Sequence, residues 1–211
     1  MKKTELKTLT EQKTLTKTPR TIRTIVGIDY SLNSPAVCVA NNGGTSFSDC
    51  NFYYLTSKKK YEGIMMENVI GYRLKENNGP IERFKNLSDW VLHILETLHK
   101  KQEEKIIFIE GYSYGSKGRA IFQIAENGGI LKYRLQKRYT CKTIVPSVIK
   151  KFATGKGNAD KQMMYDTFKA TQGVNLMKVF DQEKLNNPIT DIIDSYYIMR
   201  AGYENSICND I

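Results

Sequence analysis

Histidine is scarce in this chain, with two residues, and cysteine is sparse, with four. Cys38, Cys50, Cys141 and Cys208 are widely separated and include no C-x-x-C pair. That spacing argues against zinc fingers and disulfide frameworks. Cys38 falls inside an apolar run, where a free thiol behaves as a small buried hydrophobe in a reducing compartment. His93 and His99 lie in one helical stretch away from the acidic motifs, so packing or surface positions are expected for them rather than ligand roles. No apolar run approaches the roughly 18 residues that a membrane span needs, and no signal-peptide core is visible. No internal repeat is visible either.

What is present points to one globular domain with a polyanionic partner. The chain has 211 residues, 40% hydrophobic and 10% aromatic, which suffices for a single core and excludes wholesale disorder. Its net charge is +10, a sign and size that favour nucleic acid. Half of that excess sits in residues 1–23. There Lys2, Lys3, Lys7, Lys13, Lys17, Arg20 and Arg23 face only Glu5 and Glu11. This Thr-rich stretch has too few large apolar groups to build a core. It is expected to be a mobile basic tail preceding a folded domain over 24–211.

The pattern along 24–211 alternates strand and helix signals. Strands are predicted at Thr24–Asp29, Pro35–Ala40 and Phe47–Leu55, with Asn41-Asn42-Gly43-Gly44 as a hairpin turn, giving a three-strand antiparallel meander. Ser57–Gly79 reads as an irregular exposed excursion. Pro80 opens a helix over Ile81–Lys101, striped by Phe84, Leu87, Val91 and Leu98. Strand Ile106–Glu110 follows, then a polar-aromatic loop and a helix over Gly118–Gln136, whose Gly128-Gly129 pair permits close approach of a neighbour. A short strand at Thr143–Val145, a turn of helix at Pro146–Lys151 and helices at Asn158–Thr171 and Pro188–Tyr203 complete the chain, with Leu176–Asn187 left unassigned. The expected fold is α/β: a mixed central sheet, meander plus parallel strands, with helices on both faces.

Four acids stand out against this frame. Asp29 ends the apolar run Ile25-Val26-Gly27-Ile28, and Glu110 ends Ile106-Ile107-Phe108-Ile109. Buried strands should not finish on unpaired carboxylates, because an isolated buried charge is expensive. Asp191 and Asp194, spaced i and i+3, share one helix face. Acids converging from two strand ends and a helix form an all-oxygen cage suited to a hard divalent cation such as magnesium. A second motif is Thr154–Lys161. Gly155 and Gly157 would bring backbone amides to an anion, Asn158 would cap the following helix, and Lys150, Lys151, Lys156 and Lys161 supply charge.

Gly27-Ile28-Asp29, Ile109-Glu110-Gly111-Tyr112-Ser113-Tyr114-Gly115, the Pro146–Lys161 segment and Asp191-Ile192-Ile193-Asp194-Ser195 occur in order over residues 24–203. In this arrangement the chain resembles the RuvC-like Holliday junction resolvases of the ribonuclease H-like superfamily, in the version carried by bacteriophages and large DNA viruses. The resemblance implies a ribonuclease H-like fold and two Mg2+ ions, replaceable by Mn2+, on Asp29, Glu110, Asp191 and Asp194. It also implies a catalytic, phosphate-facing Lys161, and DNA contacts from Lys150, Lys151, Lys156, Lys117 and Arg119. An aromatic wedge at the branch point would be Tyr112 or Tyr114. The implied partners are four-way DNA junctions and a second copy of the chain, since paired nicks call for two sites related by a two-fold axis. The implied setting is the cytoplasm, or the host cytoplasm for a viral protein.

Rival readings are weaker on particular residues. An actin-, Hsp70- or sugar-kinase-like ATP-binding protein also starts with a strand ending in Gly-Ile-Asp. It needs two duplicated domains and a second phosphate loop, and neither is found in this chain. A relative that cuts flaps or RNA–DNA hybrids remains an alternative, although hybrid cutters usually take the second acid from a helix. A non-catalytic junction binder would be expected to lose an acid, and all four are present. Arg73, Lys75 and Arg83 are further candidates for phosphate contact.

Overall fold

The computed structural model describes residues 24–40, 44–99, 104–112 and 120–208, so the basic stretch 1–23 and the Asn41–Gly43 part of the hairpin turn lie outside the described residues. One seven-stranded sheet organises the molecule. Its strands are β1 (Thr24–Asp29), β2 (Ala36–Ala40), β3 (Cys50–Thr56), β4 (Gly63–Met66), β5 (Val69–Arg73), β6 (Lys105–Glu110) and β7 (Thr140–Ile144), in the order β4-β5-β3-β2-β1-β6-β7. The β1-β2-β3 meander is antiparallel, and β6 and β7 extend it in parallel from β1. The helices are α1 (Pro80–His93), α2 (Ala120–Gln136), α3 (Pro146–Thr154), α4 (Lys161–Gln172), the short α5 (Leu176–Val179) and α6 (Ile189–Cys208). The mixed sheet expected from the sequence is therefore found. No helix among the described residues is long and apolar enough to cross a membrane.

Period-two alternation sorts the central strands onto two cores. Ile25, Cys38, Ile106 and Phe108 join Phe168 of α4 and Ile192, Tyr196 and Met199 of α6 in one cluster. Val26, Ile28, Val39, Ile107 and Ile109 join Val91 of α1 and Leu131 and Leu135 of α2 in the other. Covering both faces explains why these strands read as unbroken apolar runs rather than alternating ones.

Besides β7, which starts at Thr140 rather than Thr143, three elements differ most from expectation. Ser57–Gly79 holds the β4–β5 hairpin, with β5 paired in parallel to β3. This hairpin is an edge: Ile64 is 75% exposed while Val69 is buried, and its short strands, with Glu67 and Asn68 between them, give no long run to announce a strand. Asn68 ties it down, its side-chain amide donating to the carbonyls of Phe47 and Cys50, both at 2.9 Å. The lysine run at 58–60 is not simply solvated, because Lys58 and Lys60 lie over the ring of the buried Tyr61. Second, β3 begins at Cys50, since Phe47–Asp49 form a 3-10 turn. Third, α1 ends at His93 and widens into a π-helical turn over Ile94–Leu98, closed by His99 N–H donating to the Ile94 carbonyl at 3.1 Å. Both Ile94 and Leu95 are buried there. His99 meets the Tyr53 hydroxyl at 2.8 Å, a packing role as expected.

α6 lies very close to β1. A methyl group on Gly27 would stand 2.2 Å from the Ser195 carbonyl oxygen and 2.4 Å from the Met199 nitrogen, both backbone atoms. Gly202 plays the reciprocal part, with the ring of Phe108 filling the space of its missing side chain. Gly27→Ala should therefore cost at least the ~1–3 kcal/mol typical of core overpacking. Gly129→Ala, in α2 with nothing within 4 Å, should be neutral or stabilising by about 0.5–1 kcal/mol. Urea unfolding of the two variants measures the contrast, and equal effects would contradict the close-packing argument.

Candidate active site

Strand parity aims the first two acids. On β1, Ile25 and Gly27 face α6, so Asp29, two residues further, points to the same side. On β6, Ile106 and Phe108 face α6, and Glu110 follows. The strands are parallel and in register through Ile28 and Ile109, so the two carboxylates leave adjacent strand ends. Asp191 stands in the first turn of α6 and Asp194 on the next. All four line one cleft of about 660 Å³ at this end of the sheet, together with Lys150, Lys161 and Tyr112.

Burial and mutual repulsion disfavour the charged forms. Burial pushes the Asp29 carboxyl well above the usual range, with Asp194, Asp191 and Glu110 adding to it. Glu110 is raised to about 7 by burial and then by Asp194. Asp191 is raised to about 7 and Asp194 to about 6, in each case mainly by burial. Lys161 opposes the rise at all four acids, and Lys150 at Glu110 and Asp194. Asp191 Oδ2 is sealed from solvent with no hydrogen-bond donor among the described residues. As the side chains stand, no three of the His, Cys, Asp and Glu groups among the described residues are gathered around one ion-sized point. A hard divalent cation fits the donor set: it would neutralise the cluster and occupy the orphaned Asp191 oxygen.

A polar chain anchors the start of α6. Asn187 donates to the Ser34 hydroxyl and accepts from the Thr190 hydroxyl at 2.7 Å, while Lys161 Nζ donates to Thr190 at 3.4 Å. Sequence reasoning missed Ser34, Asn187 and Thr190, because single Ser, Thr and Asn residues outside a motif carry no signal of their own. It also missed Lys132, whose ammonium lies 4.6 Å from the centre of the Tyr112 ring inside the cleft. Tyr112 is lodged on α2. Its hydroxyl donates to the Ala125 carbonyl at 3.2 Å, and a methyl group on Gly128 would meet the Tyr112 hydroxyl oxygen at 2.7 Å. The close approach expected at Gly128 is thus made by this ring.

The Thr154–Lys161 motif splits into parts. Gly155 has φ 79° and terminates α3, its N–H donating to the Lys151 carbonyl at 2.8 Å, so its conformation has a helix-capping cause. The cap of α4 is Asp160, which accepts from the Met163 N–H at 2.8 Å, and not Asn158. The helix starts at Lys161, so Asp160 is the residue placed to reach a first-turn amide, and Asn158 stands two residues too early. Lys150 and Lys161 reach the cleft. Lys151 and Lys156 are exposed outside it. Tyr114, Lys117 and Arg119 lie outside the described residues.

Comparison with known proteins bears on the fold. A scan of protein-family models finds no match, and a search of curated proteins finds no relative. Among solved structures, RuvC from Thermus thermophilus aligns over 88% of this chain and 96% of its own, with a TM-score of 0.54 and 12% identity. The same protein in complex with Holliday junction substrate aligns at 0.53 and 10%, with the same coverage. The fold is RuvC-like. The yeast mitochondrial Holliday junction resolvase Ydc2 aligns at a TM-score of only 0.48, with 13% identity, and adds no weight. Identities this low speak to the RuvC-like backbone alone.

The raised carboxyls set a pH signature for the metal-free protein. Their folded pKa values lie above unfolded values near 4, so the protonated cluster stabilises the fold fully below about pH 4. That contribution is lost as pH rises through about 6 to 7. In chelator, the Tm difference between Asp194→Asn and the unmodified chain should therefore shift in favour of the variant from pH 5 to pH 8. Thermal melts at the two pH values read this. A difference that does not move with pH would contradict the electrostatic account.

Proposed function

We propose that this protein is a metal-dependent, structure-selective endodeoxyribonuclease that resolves four-way DNA junctions as a homodimer, hydrolysing one phosphodiester in each of two strands. The observation that carries the proposal is the convergence of Asp29, Glu110, Asp191 and Asp194 with Lys150 and Lys161 in one cleft of a RuvC-like fold. One structural neighbour is held in complex with a Holliday junction substrate, and that substrate class is carried to this chain here. The four acids would hold two Mg2+ ions, or Mn2+ in their place, which when bound would supply Lewis acidity toward the phosphate and toward water.

The chain's own residues do the positioning. Lys161, at the start of α4, and Lys150, on α3, flank the acids and would hold the non-bridging oxygens of the scissile phosphate. The oxygen of an incoming water would bond to phosphorus as the bridging ester oxygen departs, in line with it. Lys151 and Lys156 would follow the backbone outside the cleft, with Lys117 and Arg119 in the same role. The Ser34–Asn187–Thr190 chain keeps the first turn of α6, and so Asp191, oriented toward Asp29. Because Tyr112 is engaged with α2, we assign it to shaping the cleft and leave base stacking at the crossover to Tyr114. The dimer reading draws on α2, along which Phe122, Gly129 and Tyr133 follow one another, with Phe122 70% and Tyr133 64% exposed.

Purified protein with Mg2+ on labelled four-way junction, flap, linear duplex and RNA–DNA hybrid tests the proposal, with the junction expected to be cut preferentially. Asp29→Asn, Glu110→Gln, Asp191→Asn and Asp194→Asn should each reduce cleavage by more than the roughly 10–100-fold typical of outer-shell losses, with fold and junction binding retained. Ca2+ should support binding with little cutting. Near-normal cleavage by an Asp29 or Glu110 variant would overturn the two-metal reading.

Light scattering at micromolar protein should return a mass near twice 24.2 kDa. A monomer that persists on junction DNA would shift the reading toward flap or single-nick activity.

A further inference from the structure

A second cavity, of about 400 Å³, lies between β5 and α1 and takes no part in the site described above. Its chemistry is unlike that of the acidic cleft. Arg73, Lys75 and Arg83 line it, and none of the three forms an ion pair with a described residue. The acid on its wall, Asp89, is already neutralised by Lys85 at 2.8 Å and Arg134 at 2.7 Å. The cavity is therefore a positive pocket with no counter-charge of its own.

The rest of its wall mixes apolar and aromatic side chains with Asn77, Asn86 and His93. Leu55 and Leu87 contribute to it, and Tyr72 and Trp90 meet edge-on with ring centres 6.4 Å apart. Two donors in this wall, Arg83 Nε and Trp90 Nε1, are sealed from solvent with no acceptor among the described residues. Buried donors without partners are costly, and this wall would have to open slightly before an acceptor could reach these two. The pocket also borders the acidic cleft. Arg83 donates through Nη2 to the Asn33 side-chain oxygen, and Asn33 lines that cleft.

We propose that this cavity is a nucleotide subsite that takes one unpaired nucleotide of a DNA strand running out of the acidic cleft, its base against Trp90 and its phosphate between Arg73, Lys75 and Arg83. A planar base suits a slot with aromatic and aliphatic walls, and a phosphate suits a cationic rim. The size lies within the range of pockets that enclose small organic ligands. Assigning the nucleotide to a strand rests on the nuclease reading. The chemistry of the pocket does not.

Trp90 is the single tryptophan of the chain, so its fluorescence reports on this wall directly. In chelator, where the proposed cleavage is off, a single-stranded thymidylate decamer should quench Trp90 saturably. Thymidine monophosphate should do so at least tenfold more weakly, and inorganic phosphate should not quench. Arg73 and Lys75 are exposed, so the Arg73→Gln, Lys75→Gln double variant should fold normally and weaken the decamer about tenfold. Trp90→Phe, followed by anisotropy of a labelled decamer, should retain part of the affinity. No quenching, or identical titrations for the double variant and the unmodified chain, would overturn the pocket. Thymidine monophosphate binding as tightly as the decamer would overturn the strand assignment. Junction cleavage by the same preparation is scored separately. Cutting without quenching sinks only the subsite, whereas quenching without cutting sinks only the nuclease.

Discussion

Helix α6 rests on β1 at a distance that only glycine allows. At Gly27 the helix backbone occupies the space that any side chain would need, and at Gly202 the ring of Phe108 fills the matching gap. Everything at the acidic end depends on this contact. The carboxylates of Asp191 and Asp194 are short, and Asp29 sits two residues beyond Gly27 on the same strand face. A helix held off by one methyl group would separate the acids that share the cleft. Packing of this kind is not continuously adjustable, because close-packed interiors transmit a displacement instead of absorbing it.

The same contact creates the electrostatic tension of the site. Drawing four carboxyls into one partly buried cleft raises all of them, and the nearby Lys150 and Lys161 offset only part of the rise. The fold carries a locally unfavourable arrangement that a cation would relieve, and the surrounding apolar clusters on both sheet faces hold it in place. Several raised carboxyls gathered in one cleft are a pattern typical of sites where a protein trades stability for chemistry. Charge is also divided in space: an acidic cleft lies beside a cationic, aromatic cavity, and the Arg83–Asn33 hydrogen bond joins the two.

Legibility in the sequence followed the strength of burial. β1, β2 and β6 are covered on both sides, so their Ile- and Val-rich runs stood out, and the acids that end β1 and β6 stood out with them. The β4–β5 hairpin is an edge with one wet face, and its mixture of Met, Glu, Asn and Ile gives no run and little alternation. The cap of α4 went to Asp160 rather than Asn158 because either residue can cap, and the position of the following turn decides which does. The link from Asn187 to Ser34 was invisible because the two are 153 residues apart, and the local Asn187–Thr190 pair belongs to no motif that would mark it.

Taken alone, the sequence determined which groups are available: two buried strands each ending in an acid, a helix with two acids on one face, and a surplus of positive charge. Those are local properties, written in composition and in periods of two and 3.6 residues. Tertiary structure decided which groups meet. Parity along β1 and β6 turned Asp29 and Glu110 to the same side, and the close seat of α6 brought Asp191 and Asp194 to them. The seat of Tyr112 against Gly128 tied one exposed aromatic side chain to α2, and the pairing of β5 with β3 set Arg73 and Lys75 beside Trp90. Such meetings depend on distances between residues far apart in the chain, which no local pattern encodes.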